Sequence, residues 1–537
     1  MKRWNGWGDD RIERPLSASA LAFLQDRIGP GDTSPDLDFE HACARVGASR
    51  LTSQAMLDTS APARLRHAHG QSLPDWIALR RGPLGPFPDA VARPESHAQV
   101  RAVVDMARRL GAVIVPYGGG TSVVGHLAVV DDGRPVISVD MSNHSRLLGL
   151  DARDRIATLG AGAAGPVLEA QLRAHGYTLG HYPQSFDYST LGGWIVTRSA
   201  GQQSRRYGRI GHMLHGARLV GPASDLVIGG HVASAAGPDL RQLLCGSEGR
   251  LGLVTEAEMH VRPLPAHEAF HVLFFGDWSA AERAAREIAQ AGVAVSMVRV
   301  SNAEETDVQL RMAGHESAVG WLYRYLGWRR LGDRPCMLMF GVTADTRRDA
   351  RRITAAALAI ARGAGGVATG TRLGSVWAAN RFAGAYARNA LWDAGYAVDT
   401  METAVVWSAT SQTMTAMEAA ARQALAAFDE RAIVFSHLSH VYAAGSSVYM
   451  TVIWRRAADP EEDRARWHAL KKSVSEAITA AGGTISHQHG VGRDHAPYLA
   501  AEKGEAGLAM IKSVLDAVDP GRMMNPHKLL PERCHVA

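Results

Sequence analysis

His487-Gln488-His489 places two imidazoles at i and i+2, and extended backbone puts such a pair on one face. Two titratable rings on one face contact a bound molecule, move a proton or hold a phosphate. They do not make a metal site by themselves, because no third ligand stands at a suitable spacing. Pro116-Tyr117-Gly118-Gly119-Gly120-Thr121-Ser122 carries a second chemistry. Three glycines let backbone approach another group closely, and successive N–H groups in such a turn cradle a phosphate or pyrophosphate. Thr121 and Ser122 add hydroxyl donors. A glycine-rich turn with no ligand fits the heptapeptide equally well. On pattern alone Tyr449 is one aromatic of a half-buried strand, and Arg299 is a strand-end charge.

The surrounding elements favour a ligand. The apolar run Ala112-Val113-Ile114-Val115 reads as a buried strand that feeds the loop. Before it come a short strand over 89–94 and a helix through Val100, Val103, Val104, Ala107 and Leu110, ended by Gly111. No G-x-G-x-x-G opens a helix, and no Gly-Lys-Ser/Thr follows the loop, so neither common nucleotide fingerprint is present. Strands are expected over 135–139 and 155–159, with a glycine turn at 160–165 and a helix through Val167 to Leu172. A run over 181–194 follows, and further small-residue segments lie at 197–201 and 245–254. Four such segments in one α+β region suit one extended ligand approached by backbone at several points. Pro263-Leu264-Pro265 marks a boundary. From there to about 455, strands over 270–275, 337–342 and 446–454 alternate with alanine-rich helices over 280–291 and 348–362. That pattern predicts one sheet with helices on a face. A helix over 459–481 then leads back to the histidine segment.

The resulting expectation is four parts. Residues 1–85 are a peripheral, mostly helical or irregular lead-in, anchored by Trp4 and Trp7. Residues 86–265 and 266–455 are two α+β units, and 456–537 is a helical segment returning to the site. The chain has 537 residues, 46% hydrophobic and 21% charged, which is ordinary for a folded soluble protein. Its net charge of +5 is spread out and helps hold an anionic ligand. There is no nucleic-acid motif, no membrane-length apolar run and no signal-peptide core, so a cytoplasmic protein is expected. Cys43, Cys245, Cys336 and Cys534 have neither metal spacing nor the density of a disulfide framework, and Cys245 reads as buried.

Taken in order, PYGGGTS, STLGGW, TRSAG, CGSEGRLGLVTEAEM, HQHGVG and DPGRMMNP resemble the vanillyl-alcohol-oxidase and p-cresol-methylhydroxylase superfamily of FAD enzymes. The likeness spans roughly the whole chain. WNGWG, PQSFDYSTLGGWIVTRSAGQQSRRYGRI, Asp399-Thr400-Met401-Glu402-Thr403 and Ser486-His487-Gln488-His489-Gly490 fit its alkyldihydroxyacetonephosphate synthase branch. The resemblance implies an α+β fold: a two-part FAD-binding domain of the p-cresol-methylhydroxylase type, with an α+β cap domain between its parts in sequence. It implies non-covalent FAD, with the pyrophosphate on Pro116, Tyr117, Gly118, Gly119, Gly120, Thr121 and Ser122. Gln184, Ser185, Asp187, Ser189, Thr190, Gly193, Thr197, Arg198, Ser199 and Ala200 would line the adenosine and flavin portions, with Glu248, Gly249, Leu251, Gly252 and Val254. His126 ranks as a packing or hydrogen-bonding residue ahead of a covalent tether.

The branch exchanges the acyl chain of acyl-dihydroxyacetone phosphate for a fatty alcohol in ether-lipid synthesis, with no net redox change. That reaction needs a proton-moving group, cations for the phosphate and an apolar tunnel. Tyr449 matches the branch's proton-transferring tyrosine, whose phenol neighbouring histidines or cations would have to perturb. His487 and His489 match its triple-histidine segment, with Gln488 in the middle, able to hydrogen-bond but not to titrate. Arg299 matches an arginine beside the flavin, and Arg388 is a further substrate candidate. His437 stands where the synthases carry a substrate-phosphate arginine, and a neutral imidazole holds a dianion less well. These departures keep a second reading open: an FAD-dependent dehydrogenase or oxidase of a 2-hydroxy acid such as D-lactate or D-2-hydroxyglutarate. His487, His489 and Arg299 would then hold the carboxylate and take the hydroxyl proton. A flavin-binding protein without catalysis fits the retained tyrosine and histidines poorly. The implied partner is a small molecule or lipid precursor, not nucleic acid; a peripheral membrane contact and a homodimer stay open.

Overall fold

The computed structural model describes residues 1–312 and 316–532; Cys534 lies outside them. The glycine loop leaves a three-stranded parallel sheet in which Val136–Asp140 lies between Ala90–Ala92 and Val113–Tyr117. Helix His97–Arg109 covers it with Val100, Val103, Val104 and Ala107, and Ser96 caps the helix by accepting from the Gln99 N–H. Gly111 ends this helix at φ +60°. The far end of the chain completes the layer. Ile114 N donates to Met523 O and Asn525 N donates to Ile114 O, both at 2.8 Å.

A five-stranded antiparallel sheet follows, in the order Leu147–Asp151, Ile156–Gly160, Leu253–His260, Leu214–Val220, Asp225–Ile228. The other glycine-rich segments are its connections and the short helix Leu191–Val196.

The second half builds a seven-stranded antiparallel sheet. Its order is Val367–Gly370, His267–Phe275, Cys336–Ala344, Met297–Ser301, Ala432–Leu438, Gly445–Arg455, Tyr396–Val406. Helices Trp278–Gln290, Arg347–Gly363 and Trp407–Ala426 bury one face, as the alanine-rich periodicity predicts. Helix Pro460–Ala480 packs on Trp407–Ala426, so the return to the glycine loop starts only after it. The other face of this sheet looks back toward the glycine segments.

The lead-in is helical as expected, with Ala18–Ile28, Phe39–Ala44, Ala61–Arg66 and Leu73–Arg81, but it is not peripheral. Its first ten residues form a hairpin, closed by Arg3 N to Gly8 O and Asp10 N to Met1 O, each 2.8 Å. The tip wedges between the two halves. Trp7 N donates to Asn389 Oδ1 (3.0 Å), Asn389 Nδ2 returns a bond to Trp7 O (2.8 Å), and Arg80 Nε donates to Asn5 O (2.7 Å). Trp7 is buried with its ring edge-on to Tyr188, and Trp4 packs on Phe39. Lys2 Nζ reaches the back of the glycine loop and donates to Gly119 O and to Tyr117 Oη.

Candidate active site

A cavity of about 1130 Å³ lies between the open face of the seven-stranded sheet and the glycine-rich segments. Residues 116–122 line one end with Gln184, Ser185, Ser189, Thr190, Gly193, Thr197, Ser199 and Ala200, and Glu248, Gly249, Gly252 and Val254 complete it. Among the described residues, none accepts a hydrogen bond from the N–H groups of Gly119, Gly120, Thr121 or Ser122. Four successive free N–H groups beside a cavity make an anion cradle, so the residues present fit a pyrophosphate. Packing dictates the glycines: a Cβ on Gly119 would lie 1.8 Å from Tyr188 O, and one on Gly118 2.4 Å from Thr190 Oγ1.

Glu248 ties the segments together. Its carboxylate accepts from Val491 N (2.5 Å) and Gly492 N (2.9 Å), while its own carbonyl accepts from Asn525 Nδ2 (2.8 Å). His126 Nδ1 hydrogen-bonds Ser122 Oγ (2.8 Å), and its Nε2 lies 3.0 Å from Glu248 Oε1 without hydrogen-bond geometry. Three expected cofactor residues do not line the cavity. Arg198 turns its guanidinium to Gln242 Oε1 (2.9 Å), Leu251 is buried in the core, and Asp187 is half-buried beside the lining.

Strand alternation populates the opposite wall. Arg299, Met337, Met339, Val398, Thr400, Phe435, His437, Tyr449, Thr451 and Ile453 all present side chains to the cavity. Register sets a row across three adjacent strands, because His437 and Glu402 are both Cα partners of Tyr449. The His437 ring stacks on Tyr449 with centroids 4.9 Å apart and planes 21° from parallel. His489 meets the same phenol edge-on at 5.7 Å. The neighbouring histidines and Arg299 do not bring this phenol's pKa down. Burial pushes the Tyr449 pKa well up, beyond what the bond with Thr400 takes back. The Tyr449 phenol therefore keeps its proton at neutral pH.

Two buried carboxylates organise the row, and the sequence reading singled out neither. Glu305 accepts from Arg299 Nη2 (2.7 Å) and meets His437 Nδ1 at 2.8 Å. Burial opposes its ionisation, but the contacts with His437 and the Arg299 guanidinium outweigh that and hold the Glu305 carboxyl below its usual range. His437 itself is pushed down, by burial first and then by Arg299, against the pull of Glu305. Glu305 stands in the first turn of helix Ala303–Met312, where an acid ordinarily signals only a helix start.

Glu402 Oε1 accepts the N–H groups of Gln488 (2.7 Å) and His489 (2.8 Å). Both donors on one oxygen force a bend, so the segment is not extended and its two histidines do not share a face. His489 and Gln488 line the cavity; His487 turns away to Tyr442 Oη (2.7 Å) and the His440 ring. Burial, with His440 and Arg209, pushes the His487 pKa well down.

Arg388 enters from helix Ala387–Asp393. Its guanidinium lies 4.3 Å over the Trp76 ring and donates to Gln71 O. Its Nε and Nη2 are buried with no hydrogen-bond partner among the described residues, and burial pushes its pKa down to about 10. The lining also carries apolar side chains, among them Leu16, Val308, Met312, Met339, Trp377 and Phe435. The arrangement can hold an anion beside a protonated phenol and a neutral imidazole, with room for a chain.

Comparison with known proteins agrees with this geometry. Residues 88–230 match the model of an FAD binding domain, and residues 264–529 match that of FAD linked oxidases, C-terminal domain. The chain is 32% identical to the alkyldihydroxyacetonephosphate synthase of Dictyostelium discoideum, over 98% of this chain and 93% of that one. It is 28% identical to the synthase of Trypanosoma brucei brucei, over 98% and 92%. A solved structure of an alkyldihydroxyacetonephosphate synthase superposes with a TM-score of 0.85 at 27% identity, covering 98% of this chain and 99% of that chain. The α+β architecture, an FAD-binding domain with an oxidase-type cap, is therefore the same.

Proposed function

The chain belongs to the FAD-linked oxidase family, and on that premise we propose that it exchanges the acyl chain of acyl-dihydroxyacetone phosphate for a fatty alcohol. The observation that carries this reading is Arg388, whose Nε and Nη2 have no hydrogen-bond partner among the described residues, in the lining of a cavity shared by the glycine-rich segments and apolar side chains. In this reading FAD is held non-covalently, its pyrophosphate on the free N–H groups of residues 119–122, and it supplies the ring system that activates the three-carbon unit. Arg388 binds the phosphate, Tyr449 and His489 face the reacting carbon, and the methionine-rich lining takes the chain. The protein is read as cytoplasmic, meeting its lipid at a membrane surface through the exposed Trp321 and Trp328 of helix Glu316–Trp328.

Purified protein with bound FAD should release fatty acid from acyl-dihydroxyacetone phosphate only when fatty alcohol is added. No release, or release without alcohol, overturns the proposal. One observation favours the second reading, oxidation of a 2-hydroxy acid. Glu305 neutralises Arg299 and His437 is neutral, so the place of a phosphate-binding arginine carries no net positive charge. Anaerobic bleaching of the flavin by D-lactate or D-2-hydroxyglutarate would select that reading.

A further inference from the structure

His437 has a carboxylate behind it and a cavity in front. Two groups approach its Nδ1: Glu305 Oε1 at 2.8 Å and Arg299 Nη2 at 3.2 Å. The nearer group decides: a carboxylate oxygen at 2.8 Å accepts a proton and repels a lone pair, while Arg299 Nη2 donates to Glu305 Oε1 at 2.7 Å, so we assign the hydrogen to Nδ1. The ring is neutral, which leaves the lone pair on Nε2. Both hydrogen-bond contacts of the ring are made through Nδ1, and His437 lines the cavity. Stacking on Tyr449 fixes the ring plane. Glu305 is itself buried and tied by Arg299 and Gln309, so it cannot turn elsewhere.

We propose that His437, oriented by Glu305, is the general base that accepts the hydroxyl proton of an alcohol bound in this cavity. The inference rests on the cavity being the reaction site of an FAD enzyme. The alcohol O–H bond breaks, an Nε2–H bond forms, and the electron pair stays on the alcohol oxygen. Glu305 stabilises the imidazolium that results. In the exchange reaction that oxygen bonds the three-carbon unit as the carboxylate of the fatty acid leaves, and the proton is released with the acid. In the alternative, oxidation of a hydroxy acid, His437 would take the same proton and pass it to solvent, and bound FAD would supply the electron acceptor. Both chemistries present an alcohol hydroxyl to His437, and the two assays tell them apart.

Two experiments on the FAD-loaded protein test this. The first is a long-range ¹H–¹⁵N spectrum of histidine-labelled protein at pH 7.5, with His437→Gln to assign the resonance. A neutral ring protonated on Nδ1 is expected; an Nε2–H tautomer or an imidazolium overturns the proposal, whatever the reaction proves to be. The second is kinetic. His437→Ala should lose about 100-fold or more in kcat, with KM and FAD content kept, and regain part of it with added imidazole. The rate is read as fatty-alcohol-dependent acid release, or as anaerobic flavin bleaching by D-2-hydroxyglutarate. An unchanged kcat overturns the proposal. If wild-type protein does neither reaction, the functional reading fails, while the spectrum still decides the tautomer. Glu305→Gln should lower kcat and move the acid limb of kcat/KM to lower pH, because the carboxylate raises the His437 pKa. Arg299, Tyr449 and His440, the other groups facing that ring, stay in place in this variant. An unmoved limb removes Glu305 as the positioning residue.

Discussion

Glu402 stands directly opposite Tyr449 in the register of adjacent strands, yet its carboxylate binds the backbone of the histidine segment rather than the phenol. The residue that aims His489 at Tyr449 is thus the neighbour of Tyr449 itself.

Glu402→Ala removes the acceptor of two partly buried N–H groups. Each bond to a charged partner contributes on the order of 1.5–3 kcal/mol, so the denaturant midpoint should fall measurably. Turnover should fall further than stability accounts for, with FAD still bound. Unchanged turnover in a folded variant contradicts this role.

Tyr449→Phe keeps the ring stack and deletes the hydroxyl. Turnover should drop about 100-fold or more with an unchanged flavin spectrum. The folded pKa of this phenol is raised, so its contribution to stability is complete below the ordinary tyrosine value of about 10 and is lost as pH rises further. Wild type should lose stability in alkali that Tyr449→Phe does not lose; parallel curves for the two proteins count against the assignment.

Gly119→Ala brings a Cβ to 1.8 Å from Tyr188 O, a backbone atom that cannot rotate away. The loop must shift, so purified protein should carry little flavin, and its FAD dissociation constant should rise about tenfold or more, equivalent to 1.4 kcal/mol. Full flavin occupancy at wild-type affinity sinks the cradle.

Asn389→Ala cuts both hydrogen bonds to Trp7. The hairpin should detach, giving faster proteolysis within residues 1–15 and a stability loss of about 1–3 kcal/mol. Unaltered cleavage would mean that the tip is held by other contacts.

Asp463 is buried and accepts from Ala457 N (2.7 Å) through one oxygen, and its other oxygen has no hydrogen-bond partner among the described residues. Burial pushes its pKa up to about 6 against the pull of nearby arginines. A raised carboxylate stabilises the fold below its unfolded value near 3.8, and that contribution disappears as pH climbs through 6. Asp463→Asn should therefore gain about 1–3 kcal/mol over wild type at pH 8 and nothing below pH 4. A lower urea midpoint at pH 8 would refute this.

Local pattern made the glycine loop, its feeding strand and helix His97–Arg109 legible, because apolar spacing and glycine punctuation act over a few residues. The same spacing gave the cap strands His267–Phe275 and Gly445–Arg455. Glu305 and Glu402 were not legible. An acid in a first helical turn and one in a threonine-rich strand look ordinary until pairing across some 130 or 85 residues puts them against His437 and Gln488. The shared face expected for His487 and His489 failed for the same reason: a distant carboxylate bends the backbone. The hairpin at residues 1–10 was invisible because its partners, Arg80 and Asn389, are remote.

Residues 523–525 close the sheet that carries the glycine loop. During synthesis the loop emerges early, but its strand stays open on one edge until nearly the whole chain has left the ribosome. The cofactor-binding half cannot therefore finish first and wait for the cap. Assembly of the cofactor end is a late, long-range event, which predicts slow maturation and a window in which the Val113–Tyr117 edge is open to aggregation or chaperone capture.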